Sequence, residues 1–275
     1  MNEFNTGGPS TNNPLPPVIP TTPLPNPTPA PTPPPPPSQV LGALAEDRVP
    51  ITGCVTAVEA ILRQPRRLFF QFQQSGSNRL LVILVTIAIL CSAVYGLVVG
   101  TFSGGQQLWA APVKIACGLL ISALICLPSL YIFSCLSGSE AKLPEIGGLI
   151  AGLLTLMTIL LVGFAPVAWV FSQSTTSEGL MGSLHIAFWL VATFFGFRFL
   201  YAGFAHTNAR SRSGLNVWVI IFVMVALQMT SSLRPLLGTS NTFLPDAAHK
   251  RFFLGHWLDC LNETPTNYDR PRQGE

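Results

Sequence analysis

Four polar side chains interrupt the apolar C-terminal half of the chain: Glu178, His185, Gln228 and Arg234. Such side chains suit ion pairing and hydrogen bonding between helices, or the binding of a polar solute, where no water is present. In antiparallel neighbouring helices, residues at equal depth have a constant index sum; 178 plus 234 is 412, and 185 plus 228 is 413. The spacing therefore predicts Glu178 level with Arg234, and His185 level with Gln228 about 10 Å deeper, at ~1.5 Å per residue.

A second interpretation of these four residues needs no common site. Gln228 and Arg234 are six residues apart and so lie about 120° apart around a helix. Arg234, directly before Pro235, then extends to lipid headgroups, while His185 and Gln228 make ordinary interhelical hydrogen bonds. Both interpretations remain open from the sequence.

Other chemistry receives little support from the residue patterns. The chain has no H-E-x-x-H, no G-x-S-x-G and no paired aspartates within its apolar segments. Its six cysteines form no C-x-x-C pair and sit near no histidines at zinc-ligand spacing. Its basic residues are scattered and the formal charge is only +3, which disfavours nucleic acid as a partner. We predict no catalytic residue, cofactor or metal site.

The elements that position these residues are predicted to be membrane helices. Hydrophobic residues make up 49% of the 275 positions and charged residues only 10%, against about 25% charged in average soluble domains. Five apolar segments each reach the roughly 20 residues needed to cross a ~30 Å hydrocarbon core. These predicted spans are 80–100, 112–136, 146–171, 180–204 and 215–236. The fold class is thus an all-α transmembrane bundle (80–238) in which short loops make sequential helices antiparallel neighbours.

Close packing within this bundle is predicted from glycines at four-residue spacing, since small residues let helix backbones approach. They are Gly96, Gly100 and Gly104, and Gly148 with Gly152. Pro128 and Pro166 are predicted to kink the second and third spans.

A juxtamembrane segment, 48–79, precedes the spans. Ile51, Val55, Val58 and Leu62 recur at helical spacing, which predicts an amphipathic helix lying on the membrane. Pro65 then breaks that helix. Arg66 and Arg67 are predicted to meet lipid phosphates, while the phenylalanines that follow enter the acyl boundary.

Two tails flank the membrane region. Residues 1–47 hold fifteen of the 25 prolines and no lysine or arginine, which predicts a disordered tail of polyproline II character. It is either a spacer or a ligand for a proline-recognition protein. In the C-terminal tail, 239–275, the apolar spacing over 246–261 predicts an in-plane interfacial helix anchored by Trp257.

Orientation follows from lysine and arginine near the span ends. Eight lie on the side of the N-terminus and four on the opposite side, which predicts a cytoplasmic N-terminus and an external C-terminus. In a bacterium, this places the protein in the inner membrane. Arg198, about six residues inside the fourth span, is predicted to extend to the nearer surface as a further membrane anchor.

The stretch "AILRQPRRLFFQF", leading into five spans, resembles bacterial members of the Yip1 family. The likeness covers roughly residues 60–236 and lies in the architecture and this one motif. It implies a small non-enzymatic membrane protein that acts through partners in membrane organisation or trafficking. The long Pro-rich tail and the C-terminal segment depart from that pattern.

Two function classes follow from these features. A scaffold or partner subunit needs only packing glycines, interfacial helices and a tail, and works through the bilayer, a protein bound to the tail, or a helix-packed oligomer. A small-solute or ion transporter would use the intramembrane polar residues and kinked helices, but an odd helix count without a visible repeat disfavours it. We expect the scaffold or partner subunit.

Overall fold

The protein is a helical bundle in the computed structural model, which describes residues 41–74, 77–103, 107–174 and 178–232. A 3-10 turn, Ala45–Arg48, precedes seven α-helices. They are α1 (Cys54–Arg63), α2 (Pro65–Phe72), α3 (Asn78–Ser103), α4 (Gln107–Leu136), α5 (Leu143–Ser174), α6 (Glu178–Phe204) and α7 (Ser213–Ser232). Five of these, α3 to α7, are long and apolar enough to cross a membrane, which confirms the predicted multi-pass helical architecture.

The spans begin close to their predicted positions, except that α4 starts at Gln107, five residues before Pro112. Its helix continues through Pro112 and Pro128, and α5 continues through Pro166. Proline is tolerated inside membrane helices because neighbouring helices and local adjustments satisfy the freed backbone groups.

Helix α5 is the centre of the bundle. Its most apolar window is 72% buried, against 17% for α7. It packs along α3 on one side and α6 on the other, while α4 packs on α3 and α7 packs on α4. The prediction that sequential helices are neighbours therefore holds for α3–α4 and α5–α6. For α6–α7 it holds through side chains: Tyr201 Oη donates to Asn216 Oδ1 (2.6 Å), and the rings of Phe197 and Phe222 meet edge-on. The α7 backbone itself lies along α4, where the buried Trp218 donates to Cys126 O.

Close approach is confirmed at Gly96, Gly148 and Gly152, where the contacts are of two kinds, while Gly104 lies outside the described residues. A Cβ atom on Gly96 would lie 2.4 Å from the Cα of Pro112, so α3 and α4 meet backbone to backbone. Gly148 and Gly152 instead face the rings of Phe72 and Phe199. Here the missing side chain makes room for an aromatic ring from a neighbouring helix.

The bundle has two ends, named here by their distance from α1 and α2. The proximal end holds the loops after α4 and α6, which are joined by a hydrogen bond from the Arg210 amide to Ser137 O (2.9 Å) and another from Ser139 Oγ to Thr207 O (2.9 Å). The distal end holds the C-terminal ends of α3 and α5 and the N-terminal ends of α4 and α6. Side chains with functional potential occur at both ends.

Candidate functional site

Residues 42–73 form a cap on the proximal end of the bundle. Pro65 separates α1 from α2 and occupies the first turn of α2, where its missing N–H costs no hydrogen bond. The buried rings of Phe69 and Phe72 then fill spaces left by Gly203 and Gly148. Two of the phenylalanines predicted to enter lipid are thus packed into the protein, and the third, Phe70, is half-buried.

Arg67 corrects the membrane-anchoring prediction, because its side chain is only 8% exposed. Its guanidinium donates to Val49 O (2.8 Å) and Pro50 O (3.0 Å). Gln71 binds the same segment, residues 49–51: its amide nitrogen donates to Val49 O (2.6 Å), and its amide oxygen accepts from the Ile51 N–H (3.1 Å). Carbonyl oxygens of the chain itself take the place predicted for lipid phosphate.

Asp47 is the second contributor to the cap that sequence reasoning missed. It is 4% exposed, accepts from the Gly42 amide (3.1 Å) and lies 3.6 Å from the guanidinium of Arg66. A buried carboxylate is tolerated because these donors replace its water. The cap therefore begins before residue 47, the predicted end of the Pro-rich tail. The sequence indicates this earlier start by the charged "AEDR", which follows a stretch without basic residues.

His206 joins the cap to the end of α6. Its ring centroid lies 5.8 Å from that of Phe69, and its carbonyl accepts from Gln73 Nε2 (3.2 Å). Burial lowers the pKa of His206 below its ordinary value of 6.5, and the Arg66 charge lowers it further, while Asp47 opposes the shift. The imidazole is therefore neutral at neutral pH.

Acidification is expected to loosen the cap through His206. The unfolded chain binds this proton more readily than the folded one, so stability is lost as pH falls through 6.5 toward the lowered pKa. The protection of amides over residues 65–73, measured against the intrinsic exchange rate at each pH, should fall in that window, whereas protection in the centre of α5 should not. His206→Gln should remove the response; an unchanged response in this variant would exclude His206 as its source.

At the distal end, Tyr95 of α3 and His185 of α6 form a buried pair. Tyr95 Oη lies 2.6 Å from His185 Nδ1, and the two side chains are 0% and 6% exposed. The ring of Phe188 packs edge-on against the imidazole. His185 Nε2 is buried without a hydrogen-bond partner among the described residues. The pair links two helices that both pack on α5.

Lys114 of α4 is buried at a similar depth, with 1% of its surface exposed. Since Gly96 meets Pro112 across an antiparallel pair, residue 95 is level with about residue 113. Lys114 therefore lies within about 3 Å of Tyr95 along the bundle axis, at ~1.5 Å per residue. By sequence, Lys114 is one of the four lysines and arginines near the span ends on the side opposite the N-terminus. Buried ionisable residues inside membranes are candidate functional groups.

The predicted polar cluster is only partly within the described residues. Arg234 and the predicted anchor Trp257 lie outside them, as does the side chain of Glu178. His185 faces Tyr95 of α3, while Gln228 is exposed on α7, which packs on α4. Pairing of Glu178 with Arg234 stays a prediction. Arg198 is exposed on α6, where its side chain is free to reach a headgroup.

The buried distal side chains offer hydrogen bonding and proton exchange, and the proximal cap offers a rigid folded surface. Within the described ranges, no three histidine, cysteine, aspartate or glutamate side chains come together as metal ligands would.

Comparison of the chain with protein families, curated proteins and solved structures finds no match. Function is therefore argued from this chain's own geometry.

Proposed function

We propose that this chain is a non-enzymatic integral membrane protein that acts as a scaffold or partner subunit in membrane organisation or trafficking. The observation that carries the proposal is the packed interior around α5, whose glycine spaces are filled by Phe72 and Phe199. The cap seats Phe69 at the proximal end of the same bundle. A protein that holds partners needs such a rigid body, and the resemblance to the Yip1 family implies the same class.

Partners can reach this body by several routes. The bilayer covers the outward faces of α6 and α7, which expose Leu190, Phe194 and Ile220. These faces also suit packing against another membrane helix in a homo- or hetero-oligomer. The Pro-rich tail supplies a third route, through a proline-recognition partner.

The alternative function is a component of a small-solute or ion transporter. The observation that favours it is the buried distal set of Tyr95, His185 and Lys114, because polar groups inside membranes often mark substrate or proton pathways. The three side chains lie in the distal half of the bundle, where neighbouring residues bury each of them almost completely.

Flux measurements separate the two functions. Proteoliposomes carrying the purified chain should take up protons, inorganic ions and labelled small solutes no faster than protein-free liposomes. Mild-detergent purification should recover a second protein in fixed ratio, and deletion of residues 2–37 tests whether the tail binds it. Flux that falls on Lys114→Met but not on Val113→Met, an exposed neighbour, would instead establish the transporter.

The proposed orientation places the N-terminus and the 207–213 loop in the cytoplasm and the 172–178 loop outside. Single cysteines at Ser174 and Ser211, both exposed, report this in a cysteine-free background. An impermeant thiol reagent added to intact cells should label position 174. Labelling of position 211 alone would reverse the orientation.

A further inference from the structure

An apolar groove of about 610 Å³ runs between α1 and α3. Helix α1 contributes Val55, Val58 and Leu62 to its wall, and α3 contributes Ile87 and Leu90. The size falls within the roughly 300–1,000 Å³ typical of ligand sites. Most of the side chains that line the groove are apolar, so its occupant must be apolar where it contacts them.

The way α1 packs leaves this wall uncovered. The helix buries Ala57, Ala60 and Ile61 against the protein, while Val55 is 82% exposed and Leu62 49% exposed. Three residues of the stripe predicted to lie against the membrane, Val55, Val58 and Leu62, thus line the groove, whereas the fourth, Ile51, is buried in the protein core. Large exposed aliphatic side chains at one surface indicate a face that something apolar covers.

The depth of the α3 wall of the groove in the membrane indicates which molecules can cover the groove. Helix α3 is a candidate span from Asn78 to Thr101. Ile87 and Cys91 are nine and thirteen residues into it, which at ~1.5 Å per residue is about 14 to 20 Å from its proximal end. That is near the middle of a ~30 Å hydrocarbon core. Lipid acyl chains occupy this level of the membrane.

An arginine at the edge of the groove favours a lipid with an anionic headgroup. Arg63 lines the groove at the end of α1 and is exposed, so its guanidinium can reach a phosphate beside the groove. Glu59, one turn earlier, also lines the groove and is exposed. The two form no ion pair within 4.0 Å among the described contacts. Arginine binds phosphate through paired N–H donors, and its positive charge repels the quaternary ammonium that phosphatidylcholine carries beside its phosphate.

We propose that the groove binds one acyl chain of an anionic glycerophospholipid from the surrounding bilayer, with Arg63 holding its phosphate. Val55, Val58 and Leu62 contact the chain from α1, and Ile87 and Leu90 contact it from α3. The bound lipid joins the cap to the first span, with its phosphate at Arg63 and its acyl chain reaching the level of Ile87 and Leu90. This site does not depend on the scaffold function, since a transporter with the same groove would bind the same lipid.

Photo-crosslinking tests the site in the full-length chain. Proteoliposomes of phosphatidylcholine carry a trace of phosphatidylglycerol with a photoreactive acyl chain, and labelled residues are mapped by mass spectrometry. Label should concentrate on residues 54–63 and 87–91, and unlabelled phosphatidylglycerol should displace it where added phosphatidylcholine does not. Label spread over the lipid-facing sides of all five spans, or equal displacement by both lipids, would overturn the proposal. A photoreactive amino acid at Leu90 that crosslinks to a second copy or another protein, and not to lipid, would overturn it too.

Two variants with matched controls sharpen the test. Leu90→Trp fills the groove and should reduce groove labelling at least fivefold, while Val82→Trp, at a position of almost equal exposure (61% against 60%) outside the groove, should not. Arg63→Gln should weaken phosphatidylglycerol binding about tenfold, as loss of a charged hydrogen bond does. Arg79→Gln, another exposed arginine outside the groove, is its control. Equal effects of a variant and its control would contradict the site.

The alkylation rates of two native cysteines report lipid binding without any substitution. Cys54 lines the groove, whereas Cys135 is an exposed thiol on α4 that does not. Phosphatidylglycerol should slow maleimide alkylation of Cys54 at least threefold relative to Cys135, compared with phosphatidylcholine alone. An unchanged ratio of the two rates would show that the groove holds no anionic lipid.

Discussion

Replacing Gly96 with alanine is expected to destabilise the bundle by about 1–3 kcal/mol, the usual cost of forcing extra volume into a packed interior. The added Cβ would lie 2.4 Å from Pro112 Cα and 2.8 Å from its nitrogen. Both are backbone atoms, so no side-chain rotation relieves the clash, and α3 and α4 must separate. The free energy of unfolding in detergent or bicelles measures the loss.

Gly163→Ala is the control for this change. Gly163 lies inside α5, and no neighbouring atom comes within 4 Å of the place that an added methyl group would take, so alanine there gains about 0.5–1 kcal/mol of helix stability. The two substitutions add the same group to a membrane helix, yet opposite signs are expected. A Gly96→Ala variant as stable as wild type would mean that α3 and α4 do not meet backbone to backbone.

Replacing Trp218 with alanine is expected to cost about 2 kcal/mol or more and to release α7 from α4. Trp218 is fully buried, donates from Nε1 to Cys126 O (2.8 Å) and stacks on Phe222 with ring centroids 5.2 Å apart. Large-to-alanine changes in soluble cores cost about 3–5 kcal/mol, but the part due to transfer from water is largely absent in lipid. Loss of packing remains, and α7 has few other buried side chains to offset it.

Ile220→Ala is the matched control for Trp218→Ala, because Ile220 is 65% exposed on the same helix. It should change the free energy of unfolding by less than about 0.5 kcal/mol. Trp218→Phe keeps most of the ring volume and isolates the indole hydrogen bond, worth about 0.6 kcal/mol among polar contacts in membranes. Proteolysis within the 205–212 loop should quicken only in Trp218→Ala. Equal loss in Trp218→Ala and Ile220→Ala would show that Trp218 does not anchor α7.

The candidate site was only partly predictable because residue type does not reveal the direction a side chain faces. His185 was recognised as a polar residue inside a span, but its partner, Tyr95, lies 90 residues earlier in the chain. Lys114 lies near a predicted span end, a position where lysine usually reaches the membrane surface, although here it is buried in α4. Arg67 was assigned to lipid phosphate, although it binds Val49 and Pro50. In each case the partner depends on which helices are neighbours.

The sequence by itself determined the number of membrane helices, the break at Pro65 and the glycines where helices approach closely. These features depend on local properties, namely apolar length against the thickness of a bilayer, the missing N–H of proline and the small volume of glycine. Tertiary structure alone decided that α5 is central, that α7 packs on α4, and that the cap seats Phe69 and Phe72 in protein. The spans expose many large hydrophobic side chains and also bury them, so hydrophobicity does not distinguish a face that meets lipid from one that meets a helix; shape complementarity makes that choice.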